Sequence, residues 1–464
     1  MRRTSEDNVW LNVDWVVLLI YFLLVSLGIS NIYSAGYDTE QQGLFDFSAE
    51  HGKQIMWIGV SLFLGMIIFF LDFAFIRKYA FWFYGFTLVM LLAVLFMPAV
   101  NGAHSWFGFG SFKIQPSEFA KVGVSLALAR FIGDVGKSQF EGRRKGVVNM
   151  GVANLWGLIP LIKKNIEIVL IIGIPCILVL LQPDAGTFII FTSFILVLYR
   201  EGYTGNFLLF VLIAVVIAVI TLLVADSSFI MPFLKIKLSG KTGIVISLMI
   251  LSLIFYLLIR NFVLKRNRGP LYRALIGSLV IAVVFVNCIE WGYENILQEH
   301  QKTRIDLLLG KIDDPDGDGY NINRAKSAIG SGGFLGKGFQ QATLANANQG
   351  HVPMQSTDFI FCTWSEERGF IGSAGFVILF TILLLRIVII AERQRSEFTR
   401  VFAYCVGCIF FYHFMINVGM AIGLAPVIGI PLPFFSYGGS SVMAFSIFLF
   451  LLLKFDAERK VVLQ

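Results

Sequence analysis

The least apolar part of the chain contains closely spaced carboxylates in the sequence DPDGDGY, at residues 314–320. A positioned carboxylate can act as a general base toward a hydroxyl nucleophile. Asp314, Asp316 and Asp318 also match the start of an EF-hand calcium loop, but Ala325 stands where that loop has its bidentate Glu. The segment therefore offers a candidate base, or weak ligands from Asp314 and Asp316 for a divalent cation such as Mg²⁺.

A second group of polar residues surrounds a predicted helix start at the sequence QPSE, residues 115–118. Ser117 can cap this helix, and Glu118 lies in its first turn, where the helix dipole favours a carboxylate. Glu118 and Lys121 are three residues apart and share a helical face. The pattern fits a cap with a local ion pair, or a functional site, since ionisable groups at a membrane span are functional candidates by default.

Two further segments combine turn residues with polar side chains. In QPDAGT, residues 182–187, Asp184 either caps the following helix or joins Glu118 and Lys121 in a polar cluster. The Gly-rich residues 328–338 contain Lys337, which either meets an anionic group or is solvated. This Gly-rich segment lacks the strand and GK[ST] context of a phosphate-binding loop, which argues against a nucleotide site.

The composition requires these residues to be positioned by membrane helices. Of the 464 residues, 57% are apolar and 14% are charged, whereas soluble domains have about 25% charged residues. Twelve apolar runs of spanning length begin near residues 15, 55, 80, 117, 168, 186, 205, 243, 273, 370, 401 and 440. We therefore expect an all-α polytopic membrane protein with about 12 transmembrane helices, and exclude a soluble enzyme, a disordered chain and a one-span receptor.

The distribution of lysines and arginines predicts the orientation of these spans. The net charge of +7 does not by itself indicate nucleic-acid binding, and no nucleic-acid partner is expected. Most cations fall on one side if the N-terminus is cytoplasmic, in agreement with the positive-inside rule. Both termini are then predicted to be cytoplasmic, and the loop at residues 291–369 is predicted to be extracytoplasmic.

These motifs, in this order, closely resemble the shape, elongation, division and sporulation (SEDS) family, and within it the RodA-like branch. The resemblance extends from Asn101 to Ser441 and implies a peptidoglycan glycosyltransferase that polymerises lipid II on the outer face of the cytoplasmic (inner) membrane. It implies that Asp314 is the general base of an inverting displacement. It also implies a class B penicillin-binding protein and other membrane proteins of the elongation complex as partners. The candidate substrate-binding or supporting residues are Glu118, Lys121, Trp106, Gln115, Ser117, Asp184, Lys337, Thr357, Asp358 and Ser436.

The sequence departs from the family pattern at several points. The family usually has ten spans, so residues 226–290 are predicted to contain an inserted helix pair within a single domain covering residues 1–464. This pair, together with residues 300–305, resembles the RodA of Bacteroidota-type bacteria. Met354 and Ser356 lie where many members have the Glu and the His of a Pro-Glu-x-His-Thr-Asp motif, and Ser105 replaces an Arg, so the roles of those family residues do not transfer.

Three other functions are compatible with the same sequence. A division paralogue of the FtsW type is the nearest alternative within the family. A lipid II flippase would share the substrate, and a noncatalytic scaffold would share the partner. Asp314 separates a glycosyltransferase from the last two, because neither flipping nor scaffolding requires an extracytoplasmic base.

Overall fold

The computed structural model describes residues 12–36, 46–47, 49–98, 104–109, 112–143, 166–203, 207–224, 228–230, 237–295, 299–309, 311, 318–345 and 354–459. The chain forms two compact units. The larger comprises Met1–Gln139, Glu167–Glu201 and Asp314–Gln464, and the smaller comprises Phe140–Ile166 and Gly202–Asp313. Asp314 and Asp316 lie outside the described residues.

Helices dominate the larger unit. In chain order they are α1 (Trp15–Ala35), α2 (Glu50–Phe70), α3 (Phe73–Val94), α4 (Pro116–Arg143), α5 (Ile166–Leu181), α6 (Ala185–Thr192) and α7 (Phe194–Arg200). After the smaller unit come α12 (Asp318–Ser331), α13 (Ile360–Arg393), α14 (Glu397–Ala421) and α15 (Gly439–Ala457). A short antiparallel hairpin, β1 (Phe107–Phe109) and β2 (Phe112–Ile114), precedes α4 and pairs Phe107 with Ile114.

The smaller unit contains α8 (Phe207–Val224), α9 (Gly240–Phe262), α10 (Lys265–Asn295) and α11 (Glu299–Leu308). Strands β3 (Ser228–Ile230) and β4 (Lys237–Ser239) form a second antiparallel hairpin between α8 and α9. Helices α8, α9 and α10 pack on one another, and the Lys241 ammonium pairs with the Glu290 carboxylate. Helices α9 and α10 lie where the sequence analysis expects an inserted pair.

The predicted fold class is confirmed. A helix or an interrupted helix lies at each of the twelve apolar runs. Within the described ranges, eight helices are long and apolar enough to cross a membrane, and shorter apolar helices accompany them. The run near Gly186 is divided at Ser193 into α6 and α7. The predicted loop at 291–369 includes helices α11 and α12, so its described part is largely helical.

The core of the larger unit is formed around α15, which is almost completely buried and packs along α2. A Cβ atom at Gly65 of α2 would lie 2.4 Å from the Phe450 ring, so the absence of a side chain permits this close approach. Tyr21 of α1 contacts Phe434 edge-to-face at 5.0 Å and hydrogen-bonds to Ser446 at 3.1 Å. Aromatic packing thus joins α1, α2 and α15 and supports the turn that precedes α15.

The two ends of the larger unit differ in their polar chemistry. The end where α1 begins contains ion pairs between helix termini, whose members are Asp14–Arg386, Arg393–Asp456, Arg400–Glu201, Arg200–Glu392 and Arg77–Asp134. The opposite end contains two lysine ion pairs, Lys121–Glu118 and Lys337–Glu366, together with hydrogen bonds between neutral groups such as Asn31 Nδ2 to the Ile360 carbonyl at 3.0 Å. The motifs identified in the sequence lie at this second end.

Candidate functional site

A cavity of about 860 Å³ opens at the motif end of the larger unit. Four of the predicted site residues line it: Trp106, Gln115, Thr357 and Asp358. Trp106 and Gln115 flank the β-hairpin before α4, whereas Thr357 and Asp358 lie much further along the chain, in the segment before α13. The fold therefore brings two of the predicted motifs to one cavity.

Two lysines that the sequence analysis did not select also line this cavity. Lys53 lies in the first turns of α2, and Lys113 lies on β2. Neither forms an ion pair with any described residue. The sequence signal for both residues was a lysine on the side opposite the main group of cations.

Aromatic residues complete the cavity wall. Trp57 of α2 and Trp106 supply indole rings, and Tyr437 supplies a phenol. Burial, together with the nearby Glu50 carboxylate, raises the pKa of Tyr437, so its hydroxyl remains protonated and able to donate at neutral pH. Aromatic faces and hydroxyl donors beside ammonium groups suit a ligand that has both sugar rings and an anionic group.

Beneath the cavity, Glu118 and Lys121 form the ion pair that their spacing predicts. The Lys121 ammonium lies 2.9 Å from Glu118 Oε1 and 2.9 Å from His413 Nε2, and 5.4 Å from the centre of the Phe445 ring. His413 Nδ1 lies 3.0 Å from the Pro431 carbonyl, which can only accept, so Nδ1 carries the proton and Nε2 accepts from Lys121. The sequence analysis did not select His413.

This cluster is closed to solvent. The side chain of Lys121 is 1% exposed and that of Glu118 is 3% exposed. Neither is among the residues that line the cavity. In this structure Lys121 therefore joins α4 to α14 and α15, rather than presenting its ammonium to a ligand.

Asp184 acts as the cap that the sequence analysis considered. Its Oδ1 accepts from the Thr187 amide at 2.9 Å, and its Oδ2 accepts from Gln115 Nε2 at 2.9 Å. The Thr187 hydroxyl lies 3.5 Å from the Ser117 hydroxyl. Asp184 is thus linked to the QPSE segment through Gln115 and Thr187, without direct contact with Glu118 or Lys121.

The turn at residues 431–439 and Asn417 of α14 hold the backbone of Thr357 and Asp358 in place. The Ser436 hydroxyl donates to the Thr357 carbonyl at 2.6 Å and accepts from the Leu432 amide at 2.8 Å. Asn417 Nδ2 donates to the Asp358 carbonyl at 2.8 Å. Ser436 therefore has a positioning role, through the backbone that carries two cavity residues.

Lys337 lies apart from the cavity, against the buried carboxylate of Glu366. Its ammonium is 2.5 Å from Glu366 Oε1, which also accepts from the Thr343 and Leu344 amides, while Oε2 accepts from the Ala345 amide at 2.7 Å. This arrangement neutralises Lys337 and fixes the segment after α12. The sequence analysis did not select Glu366.

The predicted base and metal ligands, Asp314 and Asp316, lie outside the described residues. Among the residues that are described, no group of three or more His, Cys, Asp or Glu could hold a metal ion. Asp358 is the one carboxylate in the described cavity wall. A divalent cation at this site would therefore need the carboxylates of the DPDGDGY segment.

Comparisons with known proteins match nearly the whole chain. The model of the FtsW/RodA/SpoVE family, described as cell cycle proteins, matches residues 14–236 and 242–461. The chain is 30% identical to peptidoglycan glycosyltransferase RodA of Treponema pallidum, covering 96% of this chain and 98% of that protein. It is 28% identical to peptidoglycan glycosyltransferase MrdB of Escherichia coli K12, covering 95% and 92%.

Solved structures support the fold. A chain of a peptidoglycan synthase complex that coordinates polymerization and crosslinking superposes with a TM-score of 0.65 at 23% identity, covering 97% of this chain and 99% of that chain. The rod shape determining protein RodA of Thermus thermophilus gives a TM-score of 0.52 at 22% identity, covering 97% and 98%. From the extent of the family match and the identity to its members, the chain belongs to the FtsW/RodA/SpoVE family.

Proposed function

We propose that this protein is a peptidoglycan glycosyltransferase that polymerises lipid II into glycan strands during cell elongation. Its curated relatives RodA and MrdB carry the name of that activity and align over more than nine-tenths of the chain. The observation that carries the proposal is the cavity at the motif end, where Lys53, Lys113 and two tryptophans face one space.

The cavity chemistry matches the parts of a lipid-linked disaccharide. The ammonium groups of Lys53 and Lys113 suit the pyrophosphate, and the indole rings of Trp57 and Trp106 suit the sugar faces. Since the described wall includes two ammonium groups and one carboxylate, it favours an anionic ligand. Charge stabilisation of the departing lipid pyrophosphate is the main catalytic requirement, because that group leaves without needing a proton.

The proposed reaction is a single displacement with inversion. Asp314 accepts the proton of the acceptor sugar's 4-hydroxyl as that oxygen bonds to the anomeric carbon of the donor, and the bond to the lipid pyrophosphate breaks. Lys121, held by Glu118 and His413, maintains the wall of the site from below. A divalent cation bound through Asp314 and Asp316 would supply further charge stabilisation.

The proposed setting is the cytoplasmic membrane, with both termini in the cytoplasm and the cavity open to the extracytoplasmic side. The ion-paired end of the larger unit fits the cytoplasmic face by the positive-inside rule. A class B penicillin-binding protein is the proposed partner, with other membrane proteins of the elongation complex. The related chain from a synthase complex that couples polymerization with crosslinking supports this partnership.

The test is glycan-chain formation from lipid II by the purified protein with its class B partner, comparing the wild type with Asp314→Asn. We expect polymer from the wild type and none from the variant. Asp134→Asn is the matched control, since it changes an exposed aspartate of the opposite end, paired with Arg77, and it should polymerise normally.

The other outcomes separate the alternatives. Polymer from neither protein, with the partner bound and the chain folded, would favour lipid transport or scaffolding. Equal polymer from wild type and Asp314→Asn would retain the glycosyltransferase and remove Asp314 as its base.

A further inference from the structure

A separate charged cluster lies at the ion-paired end, where α1 begins. Asp14, the N-cap of α1, and Asp456, near the end of α15, have side chains that are 1% and 0% exposed. Arg386 and Arg393 of α13 and Arg459 surround them. Three guanidinium groups thus face two buried carboxylates.

Arg393 is the central member of this cluster. Its Nη2 lies 2.8 Å from Asp14 Oδ2 and also bonds to Asp456 Oδ2, and its Nε lies 2.8 Å from Asp456 Oδ1. Burial raises the pKa of Asp14. Hydrogen bonds from Arg386, the Val17 amide and Arg393 together lower it by a larger amount, so the pKa of Asp14 lies below its usual value. Each carboxylate is paired with guanidinium groups, and three guanidiniums against two carboxylates leave the cluster with one net positive charge.

The other two arginines have unused hydrogen-bonding capacity. Arg386 contacts Asp14 only through Nε, at 3.2 and 3.0 Å, and its two terminal nitrogens bond to no described residue. Arg459 uses Nη1 for Asp456, at 3.0 Å from Oδ1. Their side chains are 33% and 23% exposed, so the remaining N–H groups are accessible.

These arginines line a cavity of about 220 Å³ whose other wall is the start of α1. Trp15 and Val16 belong to that wall and are 59% and 46% exposed. Both lie in the first turn of a membrane-spanning helix, where a tryptophan marks the level of the lipid headgroups. The cavity therefore has a cationic side and an apolar side at the membrane boundary.

We propose that this cavity binds the headgroup of an anionic phospholipid. The phosphodiester oxygens accept hydrogen bonds from the terminal nitrogens of Arg386 and from Arg459, and the glycerol and acyl chains lie along Trp15 and Val16. A planar guanidinium matches the geometry of phosphate oxygens. The site is separate from the glycosyltransferase cavity and independent of the proposed reaction.

Two features favour a phospholipid over free phosphate. The apolar wall gains nothing from a fully hydrated ion, whereas it contacts the acyl chains of a lipid. The one net positive charge of the cluster balances the one negative charge of a phosphodiester. In a zwitterionic lipid, the ammonium group of the headgroup already neutralises that charge. Basic pockets between transmembrane helices are known to bind acidic headgroups.

The test is equilibrium binding of fluorescent phosphatidylglycerol to the delipidated protein in neutral detergent. We expect the wild type to bind this lipid at least tenfold more tightly than phosphatidylcholine. Arg386→Gln should abolish this preference while leaving Asp14 paired with Arg393, and Arg386→Lys should restore part of it. Arg200→Gln is the matched control, because Arg200 pairs with Glu392 at the same end but does not line the cavity.

Equal affinity for both lipids, or an Arg386→Gln variant that binds like Arg200→Gln, would overturn the proposal. Displacement of the lipid by millimolar inorganic phosphate would indicate a phosphate site and reject the lipid assignment. If Arg386→Gln does not fold, Arg459→Gln removes the other guanidinium that is proposed to bind the phosphodiester. Asp456 keeps its bonds to Arg393 in that variant. Unchanged lipid preference in that variant would also contradict the proposal.

Discussion

At the scale of single residues, the two cavity lysines give the sharpest prediction. Lys53→Gln and Lys113→Gln each remove an ammonium from the cavity wall without removing the partner of any described ion pair. A hydrogen bond to a charged group contributes about 1.5–3 kcal/mol, so each variant should raise the KM for lipid II about tenfold or more. Initial rates of glycan formation across lipid II concentrations measure this change.

The control for these variants is Lys78→Gln, which removes an exposed lysine at the opposite end of the larger unit. Its KM should equal that of the wild type. A normal KM in both Lys53→Gln and Lys113→Gln would remove the two lysines from pyrophosphate binding, and the anionic group would have to be sought elsewhere in the site.

Residue types and spacing predicted part of this site. The Glu118–Lys121 pair and the Asp184 cap follow from local spacing, because both interactions occur within one helical turn. His413 was missed because its contact with Lys121 joins residues 292 positions apart. Lys53 was missed for the same reason, since only the packing of α2 beside α15 brings it to the cavity.

At the scale of elements, the segment after α12 depends on one buried carboxylate. Glu366→Gln should loosen residues 337–345, because the amide cannot neutralise Lys337 and places N–H groups against backbone donors. Breaking a buried ion pair costs about 3–5 kcal/mol. We expect faster hydrogen exchange across residues 337–345 and a lower free energy of unfolding.

Glu392→Gln is the matched control on the same helix. Glu392 pairs with Arg200 at a site where both side chains are about half exposed, so its loss should cost about 1 kcal/mol or less. Exchange at residues 337–345 that matches the wild type in Glu366→Gln would show that the backbone turns, rather than the carboxylate, hold this segment.

The elements themselves were largely predictable, because an apolar run of spanning length must satisfy its backbone as a helix. The division of the run near Gly186 at Ser193 and the helices in the polar segment before α13 were not. The Gly-rich segment shows why. Gly336 has φ +86, and a Cβ atom there would lie 2.1 Å from the Glu367 carbonyl oxygen. This glycine therefore permits close packing against α13. Spacing along the chain does not reveal that α13 is the packing partner.

At the scale of the whole molecule, the separation of polar chemistry within the larger unit determines how the protein should sit in a membrane. One end has paired carboxylates and guanidiniums at the termini of α1, α13 and α15. The other has the ligand-sized cavity, hydrogen bonds between neutral groups and the lysine pairs Lys121–Glu118 and Lys337–Glu366. If the cavity uses a substrate presented outside the cell, the ion-paired end must face the cytoplasm, which agrees with the charge rule.

This orientation predicts opposite accessibility for the two ends. The test starts from a variant whose five cysteines are replaced by alanine. Met354→Cys adds one thiol at the cavity rim, where Met354 is 60% exposed. Arg200→Cys adds one thiol at the ion-paired end, where the Arg200 side chain is 50% exposed. A membrane-impermeant maleimide applied to intact spheroplasts should label only Met354→Cys, and permeabilisation should expose both. Labelling of Arg200→Cys alone before permeabilisation would reverse the orientation and place the cavity in the cytoplasm, where the proposed polymerisation of an externally presented lipid could not occur.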